Sequence, residues 1–204
     1  MKCNYTKTVL RTGLYMVLSL LLWPSPAAAH LVTTGLGPVY DGIGHLLLTP
    51  EDLIPVLALA LFAGMRGAEP GRRALFFLPL AWLAGGMIGL RFEGLPMVYI
   101  PALSFLILGA LVAADLRIPA NGVSILAVML GLVHGFLNGM ALQQGAGALG
   151  LIGIMATLFV LFAIISSYII TLKQPWTRIV VRVTGSWVVA SGILMIGWLI
   201  RGSS

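Results

Sequence analysis

Between residues 43 and 200 the chain runs through six apolar stretches, roughly 43–66, 73–91, 96–115, 119–142, 146–172 and 177–200. A helix crossing the hydrocarbon core of a bilayer takes about 20 predominantly apolar residues, and each stretch is of that order. The links between them, "RGAEPGRR", "RFEGLP", "DLRIPANG", "QQGAG" and "KQPWTR", are dense in turn residues and leave no room for a soluble domain. Composition agrees. The chain is 59% hydrophobic and 9% charged, whereas a soluble domain needs about a quarter charged residues to cover its surface. The expectation is an all-α fold: a polytopic membrane helix bundle, with about six transmembrane helices in one domain and the lipid bilayer as its solvent.

The N-terminus reads differently. Lys2, Lys7 and Arg11 precede the apolar segment Leu14 to Trp23, and "PSPAAAH" follows. A basic region, a short apolar region and a small-residue A-x-A site are the marks of a secretory signal. Residues 1–29 are therefore expected to be a cleavable signal peptide and 30–204 a single transmembrane domain, with His30 as the mature N-terminus. An uncleaved first helix is the competing reading. Cys3 is the only cysteine and would leave with the signal, so the mature chain would offer neither a disulfide nor a thiolate ligand.

Charge supplies orientation. With an exported N-terminus, the cytoplasmic links and their borders hold Arg66, Arg72, Arg73, Arg117, Lys173, Arg178 and Arg182, against Arg91 and Arg201 opposite. That asymmetry obeys the positive-inside rule. It predicts a bacterial-type inner (cytoplasmic) membrane protein with its N-terminus on the periplasmic side. The pI near 10 has the same origin: the cations sit singly or in pairs at the ends of apolar runs, which excludes a nucleic-acid partner.

Few ionisable groups enter the spans. Asp41 and His45 lie four residues apart at the opening of the first span, on one face of a helix and at metal-ligand spacing. His134 and Asn138 repeat that spacing within the fourth span, where an ionisable side chain is a functional candidate by default. Glu51 and Asp52 follow Pro50, a pattern that suits the first turn of a helix through its dipole. Ser104 is expected to bond its own backbone. Gly131, Gly135 and Gly139 recur every four residues, as do Gly85 and Gly89, and such faces let helices approach closely.

All three histidines, His30, His45 and His134, fall on or just within the exported side, and Asp41 joins them. Imidazoles with one carboxylate and no thiolate suit a borderline divalent transition metal, Ni²⁺, Co²⁺, Cu²⁺ or Zn²⁺. The candidate ligands are His30, Asp41, His45, His134 and Asn138, with Asp41 and His45 converging toward His134. A free amine on His30 would favour copper. Calcium and magnesium would want more oxygen ligands.

The arrangement resembles the HupE/UreJ family of small membrane proteins tied to hydrogenase and urease maturation. The resemblance rests on His30, on "DGIGHLLL" and on "LVHGFLNG", and it covers nearly the whole mature chain. It implies a nickel, or alternatively cobalt, permease. Three departures stand out. His30 is followed by Leu31 where the family has proline. Gly44 stands before His45 where the family has aspartate, so Asp41, one turn back, would have to substitute. Asn138-Gly139 stands where relatives often carry a second His-Gly, which implies a looser or differently selective inner site.

The function expected from sequence is thus a metal permease or metal-uptake accessory protein, with a capture site at the exported mouth and a stepping site at His134. It would not be an enzyme. Moderate sites in series suit conduction better than one tight site. No G-x-x-x-x-G-K-[ST] motif is present to bind a nucleotide. An assembly or structural subunit without transport, and a membrane-embedded zinc-dependent hydrolase, are the alternatives; H-E-x-x-H is absent. Homo-oligomers or other metal-handling proteins are the expected partners.

Overall fold

The computed structural model describes residues 33–94, 97–172 and 174–202. The signal-like segment and His30 lie outside the described residues. Those described form seven helices and no strand: α1 Pro38–Leu48, α2 Pro50–Arg66, α3 Ala68–Gly89, α4 Ile100–Ala114, α5 Ala120–Leu142, α6 Gly147–Thr171 and α7 Pro175–Gly202.

The expected first span is corrected. It starts earlier, at Pro38, and breaks at Thr49, where α1 and α2 meet at 74°. The cause is local. Pro50 has no N–H to continue the helix and disfavours helical geometry at the residue before it, and Thr49 is extended at φ −104 and ψ 92. Among the described residues three helices, Ala120–Leu142, Gly147–Thr171 and Trp176–Gly202, are each long and apolar enough to cross a membrane, and the bent α1–α2 pair is either a broken fourth span or a re-entrant loop. Of the remaining two expected spans, α3 carries Glu69, Arg72 and Arg73 in its first turns, and α4 has 15 residues.

Helix α2 is the hub and touches all six other helices. The most extensive pairing is α3 with α5, and glycine makes it. A Cβ on Gly131, Gly135 or Gly139 would collide with the backbone of Leu78, Trp82 or Gly86, and one on Gly85 or Gly89 with Leu132 or Phe136. The two backbones therefore interleave along both glycine rows. Helix α1 lies on α6 in the same way, through Gly42 and Gly153. Fully buried Leu59, Phe62, Leu78, Leu158 and Phe162 fill the bundle's middle.

The cations of the links gather at one end. Asp115, which closes α4 in left-handed geometry at φ 52, accepts hydrogen bonds from Arg66 of α2 and from Arg178 Nε of α7, the latter at 2.5 Å. Arg73 donates to Asn121 at 2.6 Å, and Arg182 to the carbonyl of Ala113 at 2.9 Å. Burial alone would raise the pKa of Asp115. The Arg178 hydrogen bond and the charges of Arg66 and Arg178 outweigh it and hold the carboxyl below its ordinary range.

Candidate metal site

The break at Thr49 decides what faces the interior. Restarting the helix at Pro50 places Asp52 in the first turn of α2, and the 74° bend aims that turn into the bundle. Asp52 is buried there, as are His134 and Asn138 of α5. His134 Nδ1 lies 2.8 Å from Asp52 Oδ1, and Asn138 Nδ2 donates to Asp52 Oδ2 at 2.7 Å. One carboxylate thus takes both polar groups that the i, i+4 spacing presents on α5. On the far side of the ring, His134 Nε2 lies 2.8 Å from Ser104 Oγ of α4. The Trp82 ring of α3 flanks the imidazole at 5.6 Å between centroids. Four helices meet on this one histidine.

The Ser104 hydroxyl has a second acceptor, the Ile100 carbonyl at 3.1 Å. With a single hydrogen, Ser104 either donates to His134 or receives from it while bonding Ile100. Asn138 Oδ1 and Trp82 Nε1 are buried with no hydrogen-bond partner. The first is an oxygen lone-pair donor set beside a carboxylate and an imidazole.

Next to this cluster lies a cleft of about 660 Å³. His45 at the end of α1, Thr49 and Glu51 at the break, and Asp52 and Asn138 line one side. Met97, Met195 and Trp198 line another. His45 also borders a smaller cleft of about 250 Å³ that contains Asp41 and Thr33. The imidazole therefore borders both the cleft that holds Asp41 and the cleft that holds Asp52.

Asp41 is placed otherwise than expected. Its Oδ1 accepts from the Thr34 amide at 2.6 Å and the Thr34 hydroxyl at 2.7 Å, at an exposed position. The carboxylate that meets His134 is Asp52. Among the described residues no three His, Cys, Asp or Glu side chains lie close enough together to hold one ion. An ion entering between His134 and Asp52 would have to replace their mutual hydrogen bond, with Asn138 Oδ1 as the nearby donor.

The model of the family described as HupE / UreJ protein matches residues 18–195. The chain belongs to the HupE / UreJ family. It is 26% identical over 185 residues to Protein HupE of Rhizobium leguminosarum bv. viciae, covering 88% of this chain and 94% of that protein. No solved structure matches it. Every residue of the cluster falls inside the span matched to the HupE / UreJ model.

Two members of the cluster escaped the sequence reading. Asp52 looked like a dipole-favouring acid because its alternative use depends on a bend. The signal for it was Pro50 inside an apolar run, since a broken helix brings its first-turn side chains into the interior. Ser104 does bond the carbonyl four residues back, as a helical serine can. Nothing in its local sequence announces the second contact to His134.

Proposed function

We propose that this HupE / UreJ protein is a membrane permease, or uptake accessory protein, for a divalent transition-metal ion that serves metalloenzyme maturation. Nickel is the first choice, with cobalt or copper next. It works from the inner membrane, with about six spans and the N-terminal side exported. The observation that carries this reading is the buried Asp52–His134–Asn138 cluster at a helix break, opening beside a cleft that His45 also lines. Ionisable groups at membrane depth are costly and mark ion or proton paths. Broken membrane helices place such sites where half-helix ends and polar side chains converge. The ion is captured by Asp41 and His45, with His30 if the chain begins there, and steps to His134, Asp52 and Asn138. It is cargo, so the ligand set is loose by design, and several moderate sites let it leave again.

The assembly reading has its own support. Asp52, His134, Asn138 and Ser104 hydrogen-bond to one another and pin α2, α4 and α5 together. The two readings part in cells. Nickel accumulation by the parent should exceed that of the empty host, and His45→Ala should lower it with the protein still present in the membrane. Equal accumulation in parent and empty host would leave the assembly role.

A further inference from the structure

Three clefts are strung end to end along α2 and α7. The outer one, of about 660 Å³, has Glu51 and Asp52 of α2 facing Met195 and Trp198 of α7. One helical turn further, a cleft of about 450 Å³ has Ile54, Leu57 and Leu61 of α2 facing Thr184, Val188 and Ser191 of α7. One turn further again, a cleft of about 520 Å³ has Gly64 and Met65 of α2 facing Thr177, Arg178 and Val181 of α7. The stack reaches from the candidate metal site to the end of the bundle where the cations gather.

The middle of the bundle is close-packed. Inward of the cluster it is filled by Leu59, Phe62, Leu108, Leu158 and Phe162, all at most 3% exposed. Close-packed apolar side chains leave no voids for an ion. Helix α7, by contrast, is lightly held. It packs mainly on α4, where Gly109 and Gly185 seat the two backbones together, touches α2 only lightly and makes no substantial contact with α6. At the inner end a single carboxylate, Asp115, receives Arg66 of α2 and Arg178 of α7.

We propose that the route from the Asp52–His134 site to the inner face runs along the seam between α2 and α7, not through the bundle's middle. The proposal rests on the permeation reading above and adds where the path lies and what closes it. The middle cleft is apolar apart from Thr184 and Ser191, whose hydroxyls bond their own helix at 3.1 Å. Such a section shuts by dewetting and fills when α7 parts from α2. Asp115 is the inner latch, since parting the helices separates Arg66 from Arg178. Ser104 rides on α4, the helix to which α7 is seated, so the same displacement loosens its contact with His134.

The test uses single cysteines in a Cys3→Ser background: Leu57→Cys on α2, and Thr184→Cys and the near-isosteric Ser191→Cys on α7. Ile125→Cys, on an outward-facing position that is 63% exposed, is the bilayer control. A cationic, water-soluble thiol reagent is applied to membrane vesicles. Labelling accumulates over transient openings, so a minor open state registers. Only a thiolate reacts, and apolar surroundings keep a thiol protonated, so seam positions should label about tenfold faster than Ile125→Cys. Labelling should also block nickel uptake at all three seam positions. Seam labelling no faster than the control, or uptake intact after complete labelling, would overturn the proposal. Fast seam labelling in vesicles that take up no nickel would uphold the seam as an aqueous route and defeat the metal reading instead.

Discussion

His134 Nδ1 lies 2.8 Å from Asp52 Oδ1, a bond that joins the first turn of α2 to α5 across 82 residues of chain. Neither helix places its partner alone. The glycine rows of α3 and α5 set where His134 sits, and the break at Thr49 sets where Asp52 points.

Removing one member of a buried pair strands the other. Asp52→Ala deprives His134 and Asn138 of their shared acceptor and should cost about 1–3 kcal/mol of stability for each group left stranded. Asp52→Asn keeps the shape and some of the bonding, and about 1–3 kcal/mol is expected. Thermal unfolding in detergent measures both. Nickel accumulation should fall to the level of the empty host in each, including Asp52→Asn, where the protein remains folded.

Asp41 and Asp52 separate capture from passage. Asp41 is exposed and tied to Thr34, so Asp41→Asn should weaken nickel uptake only at low external concentration, raising the half-saturating concentration with the maximal rate kept. Asp52→Asn should hold uptake at the empty-host level at every concentration. A concentration series on the two variants distinguishes them, and identical profiles would remove the division into two sites.

The glycine seam is predicted to be intolerant. A methyl on Gly135 would run into the Trp82 carbonyl, with backbone on both sides and no side chain able to yield. Gly135→Ala should destabilise by about 1–3 kcal/mol through overpacking and displace Trp82 from His134. Gly197→Ala meets nothing within 4 Å and should leave unfolding unchanged, which makes it the matched control.

Acid should act at Asp115. The pKa of Asp115 is lowered in the folded protein, so its contribution is complete above the ordinary carboxylate value of about 3.9. That contribution is lost as pH falls from there through the lowered folded value. Asp115→Asn should remove this acid-sensitive part of the unfolding profile while lowering stability near neutrality. Asparagine tolerates the left-handed backbone at this position, so the substitution isolates charge from geometry. Unfolding midpoints measured down the acid range check it.

Much of the fold was legible because hydrophobic length and glycine spacing are local signals. The runs that became α5, α6 and α7 were read close to their observed limits, and the rows of Gly131, Gly135 and Gly139 were read as a packing face. The helix start at Pro50 was legible too, from the proline and the acids that follow it, but the 74° break before it was not. Periodicity carries through a proline, and the choice between a kink and a 74° break depends on what the bend can reach. For the site, His134 and Asn138 stood out by depth and spacing, and His45 by its position at the opening of the first span. Convergence of Asp41 toward His134 was read from its i, i+4 spacing with His45, whereas its carboxylate bonds Thr34. Asp52 reaches His134 only through tertiary contact, which no spacing encodes.

The central claim is that a divalent metal passes by way of His134. Nickel binding and uptake in membrane vesicles of known orientation, compared for the parent and His134→Ala, test it most directly. The account predicts that His134→Ala still binds nickel at the exported face, through Asp41 and His45, and transports none. Uptake in His134→Ala equal to that of the parent would contradict it.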